Sequence, residues 1–234
     1  MRADLLAELI AESEARRASI LVTDVATGAQ KLVREGEIAG DPLASQLEAH
    51  LRLGKSALIE TPDKTSVFLH VRVPRLRMIV LGAVRIAQAL VPIAELVGFE
   101  VIVIDPRPTF ATRERFPDCA VIAQSPQEVF AARPLDRYTA MVVLSHDADI
   151  DDAGITAALA GGCYYVGALG SRKTSAKRLE RLRAQNIPEA ALASIHAPIG
   201  LDIGAVSAVE IAVAIIAEVI AARRQKPPRA EAMA

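Results

Sequence analysis

The chain has 234 residues, 27 Lys and Arg against 28 Asp and Glu, a formal net charge of -1, 52% hydrophobic residues and only 3% aromatic ones. That length allows one large domain or two modest ones with a real core, and the balanced charge excludes a global field that would gather nucleic acid or a strongly acidic partner. No uninterrupted apolar run of about 18 residues appears, and acids and arginines are scattered through residues 1–17, so no membrane span and no secretory leader is expected and the expected location is the cytoplasm.

Residues 3–17 read as a short amphipathic helix with Leu5, Leu6, Leu9 and Ile10 on one side. Residues 19–25 and 30–33 read as strands joined by the turn Ala26-Thr27-Gly28-Ala29. Asp41-Pro42 has the pattern of a helix N-cap followed by proline at the first helical position, opening a helix to about Leu53 that Gly54 stops. Two further strands, 56–60 and 66–73, flank Thr61-Pro62-Asp63-Lys64, where proline pre-sets the bend. Residues 1–73 are therefore expected to form a small α+β domain of two hairpins and two helices, with His50 and His70 in structural positions and the boundary at Pro74-Arg75-Leu76.

From Arg77 onward strands and helices alternate, which predicts a parallel sheet. The fold class is α/β: a Rossmann-like parallel-sheet domain over residues 77–226, preceded by the small α+β N-terminal domain and followed by a disordered tail, 227–234. Met78-Ile79-Val80-Leu81 suits a strand buried on both faces. It stops at Gly82, after which Ile86, Leu90, Ile93, Ala94 and Val97 fall at helical spacing up to Gly98. A second apolar strand, 101–104, ends in Asp105, an acid close to the roughly 20-residue spacing at which a carboxylate meets a ribose hydroxyl. Pro106-Arg107-Pro108 is a rigid loop, residues 110–116 one or two helical turns, 120–123 a short third strand, and Ser125-Pro126 the cap of a helix ending near Arg133. The fourth strand, 139–145, runs into His146-Asp147-Ala148-Asp149, and a helix over 150–160 is closed by Gly161-Gly162. The fifth strand, 164–166, opens into Gly167-Ala168-Leu169-Gly170-Ser171-Arg172, and a basic helix follows to about Gln185. Ser207 and Glu210 have capping-box spacing before a strongly apolar helix ending at Arg223-Arg224.

In an open parallel sheet, ligands bind beyond the carboxyl ends of the strands, where strand order reverses. That rule gathers Gly82 with Arg85, Asp105 with Arg107, Ser145 with His146 and Asp147, and the Gly167 to Arg172 turn along one rim. The first turn is a weak dinucleotide signal, because Val84 stands where a second glycine would let the backbone approach a pyrophosphate; Arg85 could instead meet an anion from the side. Gly167, Gly170, Ser171, Arg172 and Lys173 form the more informative segment: two glycines expose backbone amides, Ser171 can cap, and the helix N-terminus favours an anion such as phosphate. Beyond Arg172 and Lys173, the cations Lys177, Arg178, Arg181 and Arg183 read as a solvated face. His146-Asp147 has two readings, a general base with an orienting acid and an Asx-type loop cap. His196 and Asp202 lie in a hydrophobic loop holding Pro198, Gly200 and Gly204, a second ligand-facing candidate. Cys119 and Cys163 lack any C-x-x-C spacing and read as buried small hydrophobes. No Ser-His-Asp order, HExxH, phosphate-loop lysine or Cys/His cluster is present, so no catalytic residue and no metal ligand is assigned, and the balance lies against an enzyme.

Val103-Ile104-Asp105-Pro106-Arg107, Leu144-Ser145-His146-Asp147, Gly167-Ala168-Leu169-Gly170-Ser171-Arg172 and His196-Ala197-Pro198-Ile199-Gly200-Leu201-Asp202-Ile203-Gly204-Ala205 together resemble the Rossmann domain of the XdhC/CoxF family, accessory factors for molybdenum hydroxylases such as xanthine dehydrogenase and carbon monoxide dehydrogenase. The resemblance covers about residues 77–224. It implies a protein that binds molybdenum cofactor (molybdopterin), holds it while a cysteine desulfurase installs its terminal sulfur, and delivers it to a molybdenum hydroxylase client. It would place the pterin phosphate on the segment from Gly167 to Lys173, Asp105 and His146 toward the pterin or its dithiolene edge, and residues 196–204 as part of the closure. The family usually has Gly-Ala-Gly-His where this chain has Gly82-Ala83-Val84-Arg85, and commonly histidine at the position of Ser175. The cysteine motif its N-terminal domain often carries is absent from residues 1–73. Two other readings stay open: an NAD(P)-linked oxidoreductase with Asp105 on the ribose and His146 as acid/base, and an interaction scaffold without a ligand. The apolar final helix suits a homodimer and core burial equally.

Overall fold

The structure is a computed structural model that describes residues 3–224. The expected tail, 227–234, lies outside the described residues, as do the last two residues assigned to the Rossmann-like domain. The chain divides into two compact units, Met1–Pro74 and Arg75–Ala234.

The first unit holds α1 (Ala3–Glu14), β1 (Ser19–Asp24), β2 (Gln30–Arg34), a 3-10 turn (Glu35–Gly40), α2 (Ala44–Leu53), β3 (Ala57–Glu60) and β4 (Ser66–Arg72). Its four strands pair antiparallel in the order β2-β1-β4-β3. Alternation puts Ile20, Val22, Val67, Leu69 and Val71 on one face, where they bury Leu43 and Leu47. Asp41 is not the helix N-cap. It closes the 3-10 turn, which the sequence pattern did not reveal, and its carboxylate takes the Leu43 amide and Lys31 Nζ, so α2 begins only at Ala44. Gly54 ends α2 in the left-handed conformation that glycine adopts without penalty.

The second unit contains β5 (Arg77–Leu81), α3 (Arg85–Val97), β6 (Glu100–Ile104), β7 (Ala120–Ile122), α4 (Pro126–Ala132), β8 (Thr139–Val143), α5 (Ala148–Ala160), β9 (Tyr165–Ala168), α6 (Arg172–Ala184), α7 (Glu189–Leu192), β10 (Ile195–His196) and α8 (Ala208–Arg224). Its six strands are parallel in the order β10-β9-β8-β5-β6-β7, so the chain runs outward from β5 in both directions and the order reverses between β5 and β8. Period-two alternation explains why these strands read as continuous apolar runs. Met78, Val80, Val101, Val103, Ala140 and Val142 face α3 and α8, while Ile79, Leu81, Ile102, Ile104, Met141 and Val143 face α4, α5 and α6. Residues 110–116 form turns rather than helix, and α7 and β10 are too short for a periodic signal. Among the described residues, no helix is long and apolar enough to cross a membrane.

Candidate functional site

Every loop named as a candidate in the second unit begins at the carboxyl edge of the sheet, and a ladder of backbone bonds carries the pairing beyond the strands. Gly82 N donates to Ile104 O at 2.8 Å, Leu144 N to Leu81 O at 2.7 Å, Leu169 N to Val143 O at 2.8 Å and Ile199 N to Ala168 O at 3.2 Å. The loops after β5 and β8 meet closely. A Cβ on Gly82, whose φ is +108°, would lie 2.8 Å from the backbone of Ser145, so only glycine fits at the switch point.

Asp105 ends β6 fully buried, and its carboxylate is already filled. Oδ2 accepts from the Ala83 amide at 2.9 Å and Arg107 Nη2 at 2.7 Å; Oδ1 accepts from the Arg107 amide at 3.0 Å and Arg107 Nε at 2.8 Å. Burial is the largest single influence on this acid and would raise its pKa, but the Arg107 and Ala83 hydrogen bonds together outweigh it and hold the carboxyl below its ordinary range. Asp105 therefore clamps the first two strand ends together instead of facing a ligand, which corrects both the ribose and the pterin contact expected of it. Arg107 remains 44% exposed, and the field of Asp147 from the β8 loop reaches it.

On the β8 loop, Asp147 is the N-cap of α5, its Oδ1 accepting from the amides of Asp149 and Ile150 at 3.0 and 3.3 Å. Of the two readings of His146-Asp147, the Asx-type cap is the one observed, and the helix starts two residues earlier than the pattern predicted because of it. His146 is left exposed with φ +67°, a left-handed conformation that costs a non-glycine residue about 1 kcal/mol or more. Beneath the loop, Ser145 Oγ donates to Asp151 at 2.5 Å, and Asp151 accepts from Arg178 Nη2 at 3.1 Å; the same Nη2 donates to Leu169 O at 3.0 Å.

Arg178 thus contradicts the expectation of a solvated face: it is 3% exposed and joins α5 and α6 to the β9 loop. Its Nε and Nη1, with the buried Ser175 Oγ, have no hydrogen-bond partner among the described residues. Nη1 lies 3.9 Å from where a Cβ on Gly170 would sit, directly under the turn that begins α6. Above it, Ser171 caps α6 by accepting from the Thr174 amide, and Arg172 and Lys173 are exposed in the first helical turn. Gly167 is required for packing, since its Cβ would meet the Tyr165 hydroxyl and Ile199.

The last candidate loop is held from below by Glu218 of α8. This carboxylate accepts from Tyr165 Oη at 2.6 Å and the Gly200 amide at 2.8 Å, and pairs with His196 Nδ1 at 3.0 Å; the His196 ring stacks on Tyr165 with centroids 4.7 Å apart. Burial first, then Glu218, pushes the Tyr165 phenol far above its ordinary pKa, so it acts as a fixed donor. His196 is a strand residue bonded to this acid, not a free loop side chain. Asp202 is exposed further along the loop and makes none of these bonds; Arg85 is exposed at the first position of α3.

The two cysteines sit apart from the rim, with burial pushing Cys119 up to about 11 and Cys163 up to about 12. A cavity of 590 Å³ in the first unit is lined by Val22, Val67 and Leu43 with Asp24 and Asp63 in its wall. Both acids already cap turns, Asp24 through the Ala26 and Thr27 amides and Asp63 through Thr61 and Thr65, so the cavity offers less for recognition than the rim despite its volume.

Comparison with known proteins identifies the domain that carries these loops. The family model described as the XdhC Rossmann domain matches residues 78–219. A protein of Bacillus subtilis (strain 168) named as a probable xanthine dehydrogenase subunit is 32% identical over 162 residues, 69% of this chain and 47% of that protein. The molybdenum cofactor insertion chaperone PaoD of Escherichia coli (strain K12) is 27% identical over 150 residues, 64% of this chain and 41% of PaoD. The chain thus spans less than half the length of each of these relatives. A crystal structure of a xanthine dehydrogenase from Bacillus halodurans shares the fold, with a TM-score of 0.65 at 24% identity over 94% of this chain and 67% of that one.

Proposed function

Because the chain belongs to the XdhC family, whose Rossmann domain it contains, we propose that it binds molybdenum cofactor and serves the maturation of a molybdenum hydroxylase of the xanthine dehydrogenase or carbon monoxide dehydrogenase type. The relative named as a molybdenum cofactor insertion chaperone supports the ligand, and the one named for xanthine dehydrogenase supports the client. The proposed sequence is capture of the cofactor, protection while a cysteine desulfurase supplies its terminal sulfur, and release into the apo-enzyme.

The observation that carries the reading is the start of α6. Two exposed cations, Arg172 and Lys173, occupy the first turn of a helix, where the dipole disfavours positive charge. Beneath them lies a buried guanidinium with two N–H-bearing atoms unpartnered among the described residues. An anion seated on that turn would meet the first-turn amides and the two exposed cations, with the Arg178 charge buried close beneath. The residues fit a phosphate. Gly167, Gly170, Ser171, Arg172 and Lys173 would hold it; Arg85, Arg107, His146 and Asp147 would line the adjoining crevice, and residues 196–202 would border its far side. Among the described residues, no group of three His, Cys, Asp or Glu side chains is arranged to hold a metal ion, so these contacts are assigned to the phosphate and pterin. The molybdenum supplies its redox chemistry in the client, and this chain's residues bind, orient and shield.

A nicotinamide dinucleotide fits less well: the acid that would take its ribose is buried under Arg107, and Val84 stands where its pyrophosphate would approach. The test is reconstitution. Apo-hydroxylase mixed with cofactor-loaded protein should gain activity faster than with free cofactor, and Lys173→Glu protein should lose that advantage. Equal rates with and without the protein would remove the assignment.

A further inference from the structure

We propose that Arg107 and Phe110 form a stacking platform for the flat ring of the ligand, a fused nitrogen heterocycle of the pterin type. This rests on the reading just given and adds the residues that would recognise the ring as distinct from its phosphate.

The Arg107 guanidinium is locked in one plane, because Nε and Nη2 both bond the buried Asp105 carboxylate and the Arg107 amide bonds it as well. Its carbon lies 4.3 Å from the centroid of the Phe110 ring, so one face of the cation rests on an aromatic. The backbone that carries the ring is held in place. The Phe110 amide donates to Arg107 O at 3.0 Å, and Arg115 Nη1 donates to Phe110 O at 2.9 Å while Nη2 holds Gln88 of α3 at 3.2 Å.

An ion pair that only stiffened the loop would need neither the ring nor the exposure. Phe110 is nonetheless 40% exposed in a chain with five phenylalanines and no tryptophan, at the carboxyl edge where ligands bind in this fold. A guanidinium held bidentately on an acid, backed by an aromatic and half exposed, presents a preorganised planar cation. Such a surface stacks on the faces of planar heteroaromatic rings. Phosphate needs charge and donors but no plane, so the platform selects the ring and the α6 turn selects the anion.

The experiment titrates the full chain with 6-hydroxymethylpterin, which carries no phosphate, following its fluorescence, and separately with inorganic pyrophosphate by calorimetry. Phe110→Leu keeps an apolar side chain at an exposed site, and Arg107→Lys keeps the charge while removing the plane. Both should weaken the pterin about tenfold, within the range of stacking on a protein aromatic, and Phe110→Leu should leave pyrophosphate affinity unchanged. Pterin binding indifferent to both substitutions would overturn the platform while sparing the phosphate site, as would no pterin binding beside normal pyrophosphate binding. Tighter binding of adenosine than of the pterin would overturn the ligand class. Loss of pyrophosphate binding by the unsubstituted chain would count against the phosphate reading itself, whatever the pterin does.

Discussion

Asp105→Asn tests whether the first βα turn is held by an internal clamp. The carboxylate accepts four N–H bonds inside the protein, one from the buried Ala83 amide and three from Arg107. An amide keeps one acceptor oxygen and sets an NH₂ group against donors on the other side. If the NH₂ replaces Oδ2, the Ala83 amide loses its partner, which costs about 1–3 kcal/mol for a buried donor. The lost ion pair adds only about 1 kcal/mol, because Arg107 is half exposed and can turn to water. The expected destabilisation is about 2–4 kcal/mol. Its pH dependence follows from the direction of the shift: the folded pKa of Asp105 lies below the unfolded value. The clamp's contribution is therefore complete above the unfolded value of about 4 and fades as pH falls through the depressed folded one. All three tyrosines, Tyr138, Tyr164 and Tyr165, belong to the second unit, so tyrosine fluorescence during urea unfolding reports that unit without the first. Asp105→Asn should lower the midpoint at pH 7 and flatten the acid limb. A change under about 0.5 kcal/mol, the range of an ordinary surface substitution, would refute the clamp.

Further outcomes follow from the same geometry. Gly82→Ala should cost at least about 3 kcal/mol or prevent soluble expression, since its φ is positive and the new methyl would press on the Ser145 backbone; a normal melting curve would contradict the contact. Tyr165→Phe should lower stability by about 1–2 kcal/mol in thermal unfolding followed by circular dichroism, through loss of the bond to Glu218, and an unchanged curve would mean that bond is not formed. Burial holds Cys119 near 11 and Cys163 near 12, so at pH 8 both should react with a thiol reagent at least about a hundredfold more slowly than free cysteine until denaturant is added. Native thiols that react at the free rate would place them at the surface instead.

The architecture was legible where periodicity and punctuation agreed. The apolar run ending at Gly82, the second run ending at Asp105 and the Ser125-Pro126 helix start each correspond to an observed element, and the structure adds Glu128 as the partner that completes a capping box with Ser125. Legibility failed where one residue had two physical uses. Asp41 has helix N-cap chemistry, yet its carboxylate serves Lys31 and Leu43 and the helix starts later. Asp105 sits at the ribose-binding spacing, and only the fold reveals that Arg107, two residues on, fills it. Arg178 looked like one more cation on a basic helix, although Ser175, Arg178 and Leu182 recur at three- and four-residue spacing and together form its buried side. That spacing was the available signal; what it could not supply was Asp151, which neutralises the buried charge from another helix. Glu218 hid in the same way, an acid within the apolar run of α8 whose three partners come from β9, β10 and the loop before α8.

The central claim is an anion cradle at the start of α6, and ligand-induced stabilisation measures it most directly. Thermal unfolding of the full chain is followed with increasing isolated molybdenum cofactor and, in parallel, with NADH. A ligand held at a hundred times its dissociation constant should add about 2.7 kcal/mol. The expected result is saturable stabilisation by the cofactor that Lys173→Glu largely abolishes, with little effect of NADH. Stabilisation by NADH alone, or cofactor binding indifferent to Lys173→Glu, would contradict it.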